Sequence, residues 1–314
     1  MSSRELNLDR NPTHHSLTQY SRDLVKSRAD AYDLQDGNGV WGDEFQASIE
    51  PITSSTPYMG CEGNHEGAMD FGHYSTRFAV FAGDNSSGAT PNITGLYPGP
   101  NNHWYTYSVG PVFFAVMSTE AYFFYNGVVQ QYEFLDAQLA AVDRSATPWV
   151  VVYGHRSIYC SCDTDCDGAA TTVRLGPKGD GVYGMETLFA KHKVDLFING
   201  HEHDYERNYP VYQGKLATPP SSGLPGGNAS APEVVTDPAA TIYIIEGCAG
   251  DVEHHEPFTR PQPAYSAYRS NTYGYGRMTV YNASHMLWEQ RQTDNEYPAT
   301  TGTVIDAMLS VRTH

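Results

Sequence analysis

Two histidines one residue apart, His201 and His203, follow directly on the apolar run Val194–Ile198, with Asn199-Gly200 as the turn dipeptide between. Side chains at the carboxyl end of a buried strand sit where α/β sheets keep their chemistry. Two earlier stretches repeat the arrangement. Pro148–Tyr153 is a β-branched run stopped by Gly154 and followed by His155, and a shorter apolar stretch from Pro57 ends at Gly63-Asn64-His65-Glu66. Three strand ends, each offering Asn or His, predict the wall of a metal site. An amide oxygen and imidazole nitrogens suit Zn, Fe or Mn, so Asn64, His155, His201 and His203 are the candidate ligands. Two such ions about 3.5–4 Å apart can clamp a phosphoryl group for in-line attack. His65 is then placed to hydrogen-bond the phosphate or to protonate a leaving alkoxide.

The elements that must position these residues are legible in part. Leu17, Tyr20, Leu24 and Val25 fall at helical spacing and predict a helix over about 16–26. Phe45, Ile49 and Ile52 predict a second, over 43–52, leading into a strand before Gly63. Residues 84–102 read as loop. Trp104–Met117 alternates like a hairpin turning at Val109-Gly110-Pro111. Helices over 131–142 and 185–192 feed strands over 149–153 and 194–198. A Pro/Gly/Ser-rich stretch, 214–238, reads as exposed loop, and strands follow at 241–245, 276–281, 285–289 and 304–309. The expected class is α/β: two packed sheets flanked by helices in one domain over 1–314, with 275–314 as a strand-rich tail packed on it.

With 36 acidic and 19 basic residues the formal net charge is −17, which excludes a surface built for nucleic acid or anionic membrane. An anionic substrate must be attracted locally, and bound cations would do that. No run has the length of a membrane span, and the first residues lack the apolar core of a secretory signal. Asn85, Asn92, Asn228 and Asn282 nevertheless head N-glycosylation triplets. Cys160, Cys162 and Cys166 crowd one loop, where a Cys160–Cys166 disulfide is expected, while Cys61 and Cys248 read as buried strand residues. Together these predict a secretory-pathway protein whose chain here lacks its beginning. Asp163–Gly168 imitates the opening of a calcium loop, but Arg174 stands where the bidentate Glu is required, so it reads as a solvated acidic loop. His14-His15 reads as solvent-facing and His254-His255, after Gly247–Gly250, as a further loop pair outside the ligand set. Glu206 and Arg207 read as structural hydrogen-bonding groups behind the histidine turn.

The ligand segments, with Gly42–Phe45, Ile49–Ile52, Pro57–Met59, Ser118–Glu120, Gly154–Arg156, Tyr159–Ser161, Tyr205–Arg207, Gly247–Gly250, Tyr273–Gly276 and Val304–Asp306, resemble those of the purple acid phosphatases, within the calcineurin-like metallophosphoesterases. The likeness runs over about residues 30–310. It implies a four-layer αββα sandwich and an acid phosphatase that hydrolyses small phosphate monoesters by a hydroxide activated between Fe(3+) and a divalent Zn, Mn or Fe. By resemblance the divalent ion takes Asn64, His155 and His201, and the ferric ion takes His203 and a tyrosine. His65 and His155 serve catalysis, with His65 on the phosphate. The chain departs from the family in its two earliest motifs. Asp30-Ala31-Tyr32 resembles the end of the second, which makes Asp30 and Tyr32 candidate ligands. Asp30 stands two residues before Tyr32 instead of three, however, and Ala29 holds the expected aspartate position. For the first motif Asp9 is the nearest aspartate. Without a bridging carboxylate two close cations repel. The rival expectation is therefore a catalytically impaired pseudoenzyme or truncated gene product of the same fold, binding one metal or none. A phosphodiesterase or nucleotidase on the same platform is a third. Missing strands would also leave a sheet edge open to aggregation.

Overall fold

The computed structural model describes residues 17–18, 34–78, 102–162, 165–223, 225–226, 230–249, 255–293 and 302–313. In chain order these form β1 (Leu17–Thr18), α1 (Val40–Thr53), a 3-10 run (Asn64–Phe71), α2 (Gly72–Arg77), β2 (Tyr105–Val109), β3 (Val112–Val116), α3 (Val128–Ala140) and β4 (Trp149–Tyr153). Then come α4 (Asp165–Leu175), α5 (Met185–His192), β5 (Leu196–Asn199), β6 (Tyr205–Tyr212), β7 (Lys215–Leu216), β8 (Glu233–Thr236) and β9 (Ile242–Glu246). The last strands are β10 (Ser266–Ser270), β11 (Gly274–Val280), β12 (His285–Gln292) and β13 (Thr303–Val311).

One sheet runs β10-β6-β9-β5-β4-β3-β2, with β7 paired to β6. Its centre, β3, β4, β5 and β9, is parallel, and antiparallel strands close both sides. Parallel strands buried on both faces need continuous apolar runs, which Trp149–Tyr153 and Leu196–Ile198 supply; every residue of β4 and β5 is buried. Val150, Val152 and Phe197 face Leu135 and Leu139 of α3 and Leu188 and Phe189 of α5. Val151, Tyr153 and Ile198 share the opposite core with Met278, Trp288 and Met308 of the second sheet, and Phe45 and Tyr74 from α1 and α2 join them. That second sheet runs β1-β11-β12-β13-β8, antiparallel except for β13 with β8.

A buried cation ties the sheets together. Arg207 on β6 is fully buried; Nε and Nη2 donate to both oxygens of Asp306 on β13 (2.6 and 2.9 Å), and Nη2 also reaches Glu233 on β8 at 2.8 Å. Burial alone would raise the Asp306 pKa, but Arg207 outweighs it and holds the carboxyl below its usual range. The structural role expected of Arg207 thus has a specific content.

Several expectations are corrected. Leu17 and Thr18 are not helical: they pair with Met278 and Arg277 of β11. The stretch before Gly63 is irregular rather than a strand, and Cys61 and Cys248 both lie outside strands. The 214–238 stretch contributes β7 and β8. Helix α4 begins inside the acidic segment read as loop, and β6 and β10 carried no strand expectation. Asp9, His14, His15, Asp30, Tyr32, Asn85, Asn92, Asn228 and His254 lie outside the described residues. No helix among the described residues is long and apolar enough to cross a membrane.

Replacing Arg207 with Leu strands two buried carboxylates and should cost roughly 3–5 kcal/mol in chemical denaturation; a loss below about 1 kcal/mol would show that the pairs contribute little. A pH dependence follows from two other buried acids. Burial pushes Glu246 up to about 8 and, against the pull of Arg156, Glu120 up to about 7, both from an ordinary value of 4.5. The folded chain therefore binds more protons than the unfolded one between those values, and stability falls as pH rises through that window. Asp306 and Glu62, held low by Arg207 and His103 despite burial, act only nearer pH 4 and below. The melting temperature should be higher at about pH 5.5 than at about pH 8; the reverse order would contradict this.

Candidate metal centre

The ladder between β4 and β5 does not stop where the strands do. Gly154 N–H donates to Ile198 O (3.2 Å) and Gly200 N–H to His155 O (3.0 Å), so the two following turns stay in register. Buried Asn199 stitches them further, its amide nitrogen donating to Ser157 Oγ at 2.7 Å and to Gly200 O at 3.0 Å. His201 then adopts φ +72°, a left-handed conformation costly for a residue with a Cβ. The His155 and His201 rings lie edge to face, 4.8 Å between centroids, with His201 Nδ1 3.1 Å from His155 Nε2.

Asn64 arrives from the other side. Buried Glu66 closes the turn that carries it: Gly63 N–H donates to Glu66 Oε2 at 2.7 Å, and Glu66 N–H returns to Gly63 O at 3.1 Å. A Cβ on residue 63 would lie 2.8 Å from the His155 ring, so the approach needs glycine. Asn64 Oδ1 thereby reaches 2.7 Å from His155 Nε2.

Three possible ligand atoms now come together, with a cationic side chain at their edge. Arg156 Nη1 lies 2.9 Å from His201 Nε2 and can only donate. Asn64 Oδ1 and His201 Nδ1 therefore both lie against His155 Nε2, an arrangement that one shared cation accommodates. Ligand atoms bound at about 2.0–2.1 Å to one ion lie about 3–3.4 Å apart, close to the separations seen. The donors fit a Zn-, Mn- or Fe-type ion, on condition that Arg156 yields its contact so that His201 Nε2 can take the proton.

Arg156 is itself clamped. Its N–H donates to Thr119 Oγ1 (2.9 Å), Nε pairs with buried Glu120 (2.9 Å), and the guanidinium covers the Phe123 ring at 4.6 Å. The Ser118–Glu120 segment thus acts through Arg156, a role that spacing did not show. His65 follows Asn64 in the same turn, half-buried. His203 is fixed through its backbone, its N–H donating to Glu256 Oε2 (3.1 Å) and its carbonyl accepting from His255 Nδ1 (3.0 Å). Its ring is not in the cluster with His155 and His201: among the described residues, the group of three or more His, Cys, Asp or Glu donors within 4.8 Å is Cys160, Cys162, Cys166 and Glu202. Cys160 and Cys166 are disulfide-bonded.

Gly63→Ala should push the His155 ring off Asn64 and weaken Zn binding about 10–100-fold in calorimetric titration, the range seen when a ligand's support is lost. Unchanged affinity in a folded variant would contradict the close-approach argument.

Residues 30–205 match the model of the calcineurin-like phosphoesterases, and residues 240–307 that of the iron/zinc purple acid phosphatase-like protein C. Acid phosphatase type 7 of Danio rerio is 38% identical over 295 residues, covering 90% of this chain and 60% of the relative. Probable inactive purple acid phosphatase 27 of Arabidopsis thaliana is 31% identical over 264 residues, covering 81% and 38%. The structure of a purple acid phosphatase from yellow lupin (Lupinus luteus) seeds superposes with a TM-score of 0.62 at 25% identity, covering 88% of this chain and 44% of that one. The chain therefore spans about half the length of the relatives it matches. Since the first match covers more than half of the chain and takes in Asn64, His155, His201 and His203, the protein belongs to the calcineurin-like phosphoesterases, and its residues 240–307 are similar to the iron/zinc purple acid phosphatase-like protein C.

Proposed function

We propose that the protein hydrolyses small phosphate monoesters in acid, at two metal ions held where β4 and β5 end. The observation that carries this is the close approach of Asn64 Oδ1 and His201 Nδ1 to His155 Nε2, at 2.7 and 3.1 Å, just beyond the ends of β4 and β5. Those three residues would hold a divalent Zn, Mn or Fe; His203, Tyr32 and Asp30 would serve Fe(3+). When bound, the ions supply Lewis-acid polarisation of a phosphoryl oxygen and make water nucleophilic. The rest falls to the chain. Asn64 and the two histidines orient, His65 holds the proton for the leaving alkoxide, and Arg156 offers N–H donors and a positive charge to an anionic ester. That local charge matters in a chain of net charge −17. The same reading takes the chain as one αββα domain of the secretory pathway, with exposed Asn282 among its glycan acceptors.

A second reading, an inactive protein of the same fold, is favoured by the displaced Asp30-Ala31-Tyr32 spacing and by relatives named inactive. Metal counting and turnover separate the two. The phosphatase reading expects two ions per chain, hydrolysis of p-nitrophenyl phosphate in acid buffer, and a loss of at least about 100-fold in kcat/KM for His201→Ala. One ion or none, without turnover after metal loading, would establish the second reading.

A further inference from the structure

Behind the histidine turn lies another donor cluster. Cys160, Cys162, Cys166 and Glu202 each offer one atom within 4.8 Å of all the others, and all four side chains are buried. Cys162 keeps its thiol beside the disulfide, its Sγ 3.5 Å from Cys166 Sγ and 3.2 Å from Glu202 Oε2. Glu202 Oε1 is 3.6 Å from Cys160 Sγ. We propose that these four residues form a redox-gated site for a soft divalent cation, Zn2+ foremost, closed while Cys160 and Cys166 are bonded and open once they are reduced.

The distances suit this. With Zn–S near 2.3 Å and Zn–O near 2.1 Å, a tetrahedral site puts its sulfurs about 3.8 Å apart and sulfur about 3.6 Å from oxygen. The Cys162–Cys166 and cysteine–Glu202 separations are already within a few tenths of an ångström of these values, so the Cys160–Cys166 separation is what must grow. Soft thiolates with one carboxylate select Zn over Mg, Ca or Mn.

The surroundings also call for a cation. Fully buried Asp204 lies against Cys162, and neither of its carboxylate oxygens has an N–H or O–H partner. Glu256 Oε2 is 3.9 Å from Cys162 Sγ. Three carboxyl groups, of Glu202, Asp204 and Glu256, thus surround the Cys162 sulfur. A bound dication turns the same field into attraction. A cavity of about 260 Å³, lined by Tyr159, Cys160, Cys166, Arg174, Arg260 and Tyr265, gives a reductant access to the disulfide. The redox step balances with an external dithiol: it delivers two electrons and two protons, leaves as its own disulfide, and frees both cysteines. The cation then displaces three thiol protons to solvent.

The test needs no catalytic assay. The whole chain is loaded with Zn2+ with and without prior phosphine reduction, freed of excess metal, and its ions counted by atomic emission; Co2+ is used in parallel for thiolate charge-transfer absorption. Reduced protein should hold one more ion per chain than oxidised protein and show the Co2+–thiolate band. Cys162→Ser and Cys162→Ala should lose both gains while keeping the metal count of oxidised wild type. An equal count in reduced and oxidised wild type, or a thiolate band that survives in both variants, would overturn the proposal. Neither result touches the phosphatase reading, whose ligands are nitrogen and oxygen atoms elsewhere.

Discussion

The parallel pairing of β4 with β5 is the constraint on which the rest of the site depends. Both strands are buried on both faces, so a one-residue slip would send Val150 and Val152 to the wrong core. Register is thereby fixed by packing, and the two hydrogen bonds beyond the strand ends carry it into the turns. His155 and His201 owe their 3.1 Å approach to this ladder and not to any attraction of their own. Asn64 is delivered independently, by a turn that Glu66 closes and Gly63 makes thin enough.

Buried charge is the second organising force. Where the fold spans two sheets, Arg207 compensates Asp306 and Glu233. Under the histidine turn the balance is different, because Glu202, Asp204 and Glu206 are buried together, and Asp204 meets a thiol where a cation would serve. Glu202, Asp204 and Glu206, buried together behind two imidazoles, would draw a positive ion wherever they ionise. The metal-centre reading and the thiolate-site inference draw on the same field from opposite sides of one turn.

How much of this was legible follows from what each residue pattern can encode. The β-branched run before Gly154 and the apolar run before Asn199-Gly200 announced β4, β5 and the histidines after them, because strands buried on both faces need nothing else. The Pro57 stretch looked similar but forms no strand: Gly60 and Gly63 interrupt it, and Tyr74 and Tyr105 hydroxyls satisfy Gly60 in place of a neighbouring strand. Strand β6 was invisible because Glu206, Arg207 and Asn208 are buried through long-range partners that no alternation rule can see. Leu17, at helical spacing in the sequence, instead pairs with Met278, a tertiary contact overriding local periodicity. The role of Arg156 was equally hidden, since it depends on Glu120 and Thr119, which lie 36 and 37 residues away.

The central claim is that Asn64, His155 and His201 form a cradle for one cation. Crystals of the chain grown with excess Zn2+ and measured at the zinc absorption edge test it most directly. The account predicts an anomalous peak within about 2.3 Å of Asn64 Oδ1, His155 Nε2 and His201 Nδ1 together, with Arg156 withdrawn from His201. Density showing those three atoms still in mutual contact, with zinc bound elsewhere or nowhere, would contradict it.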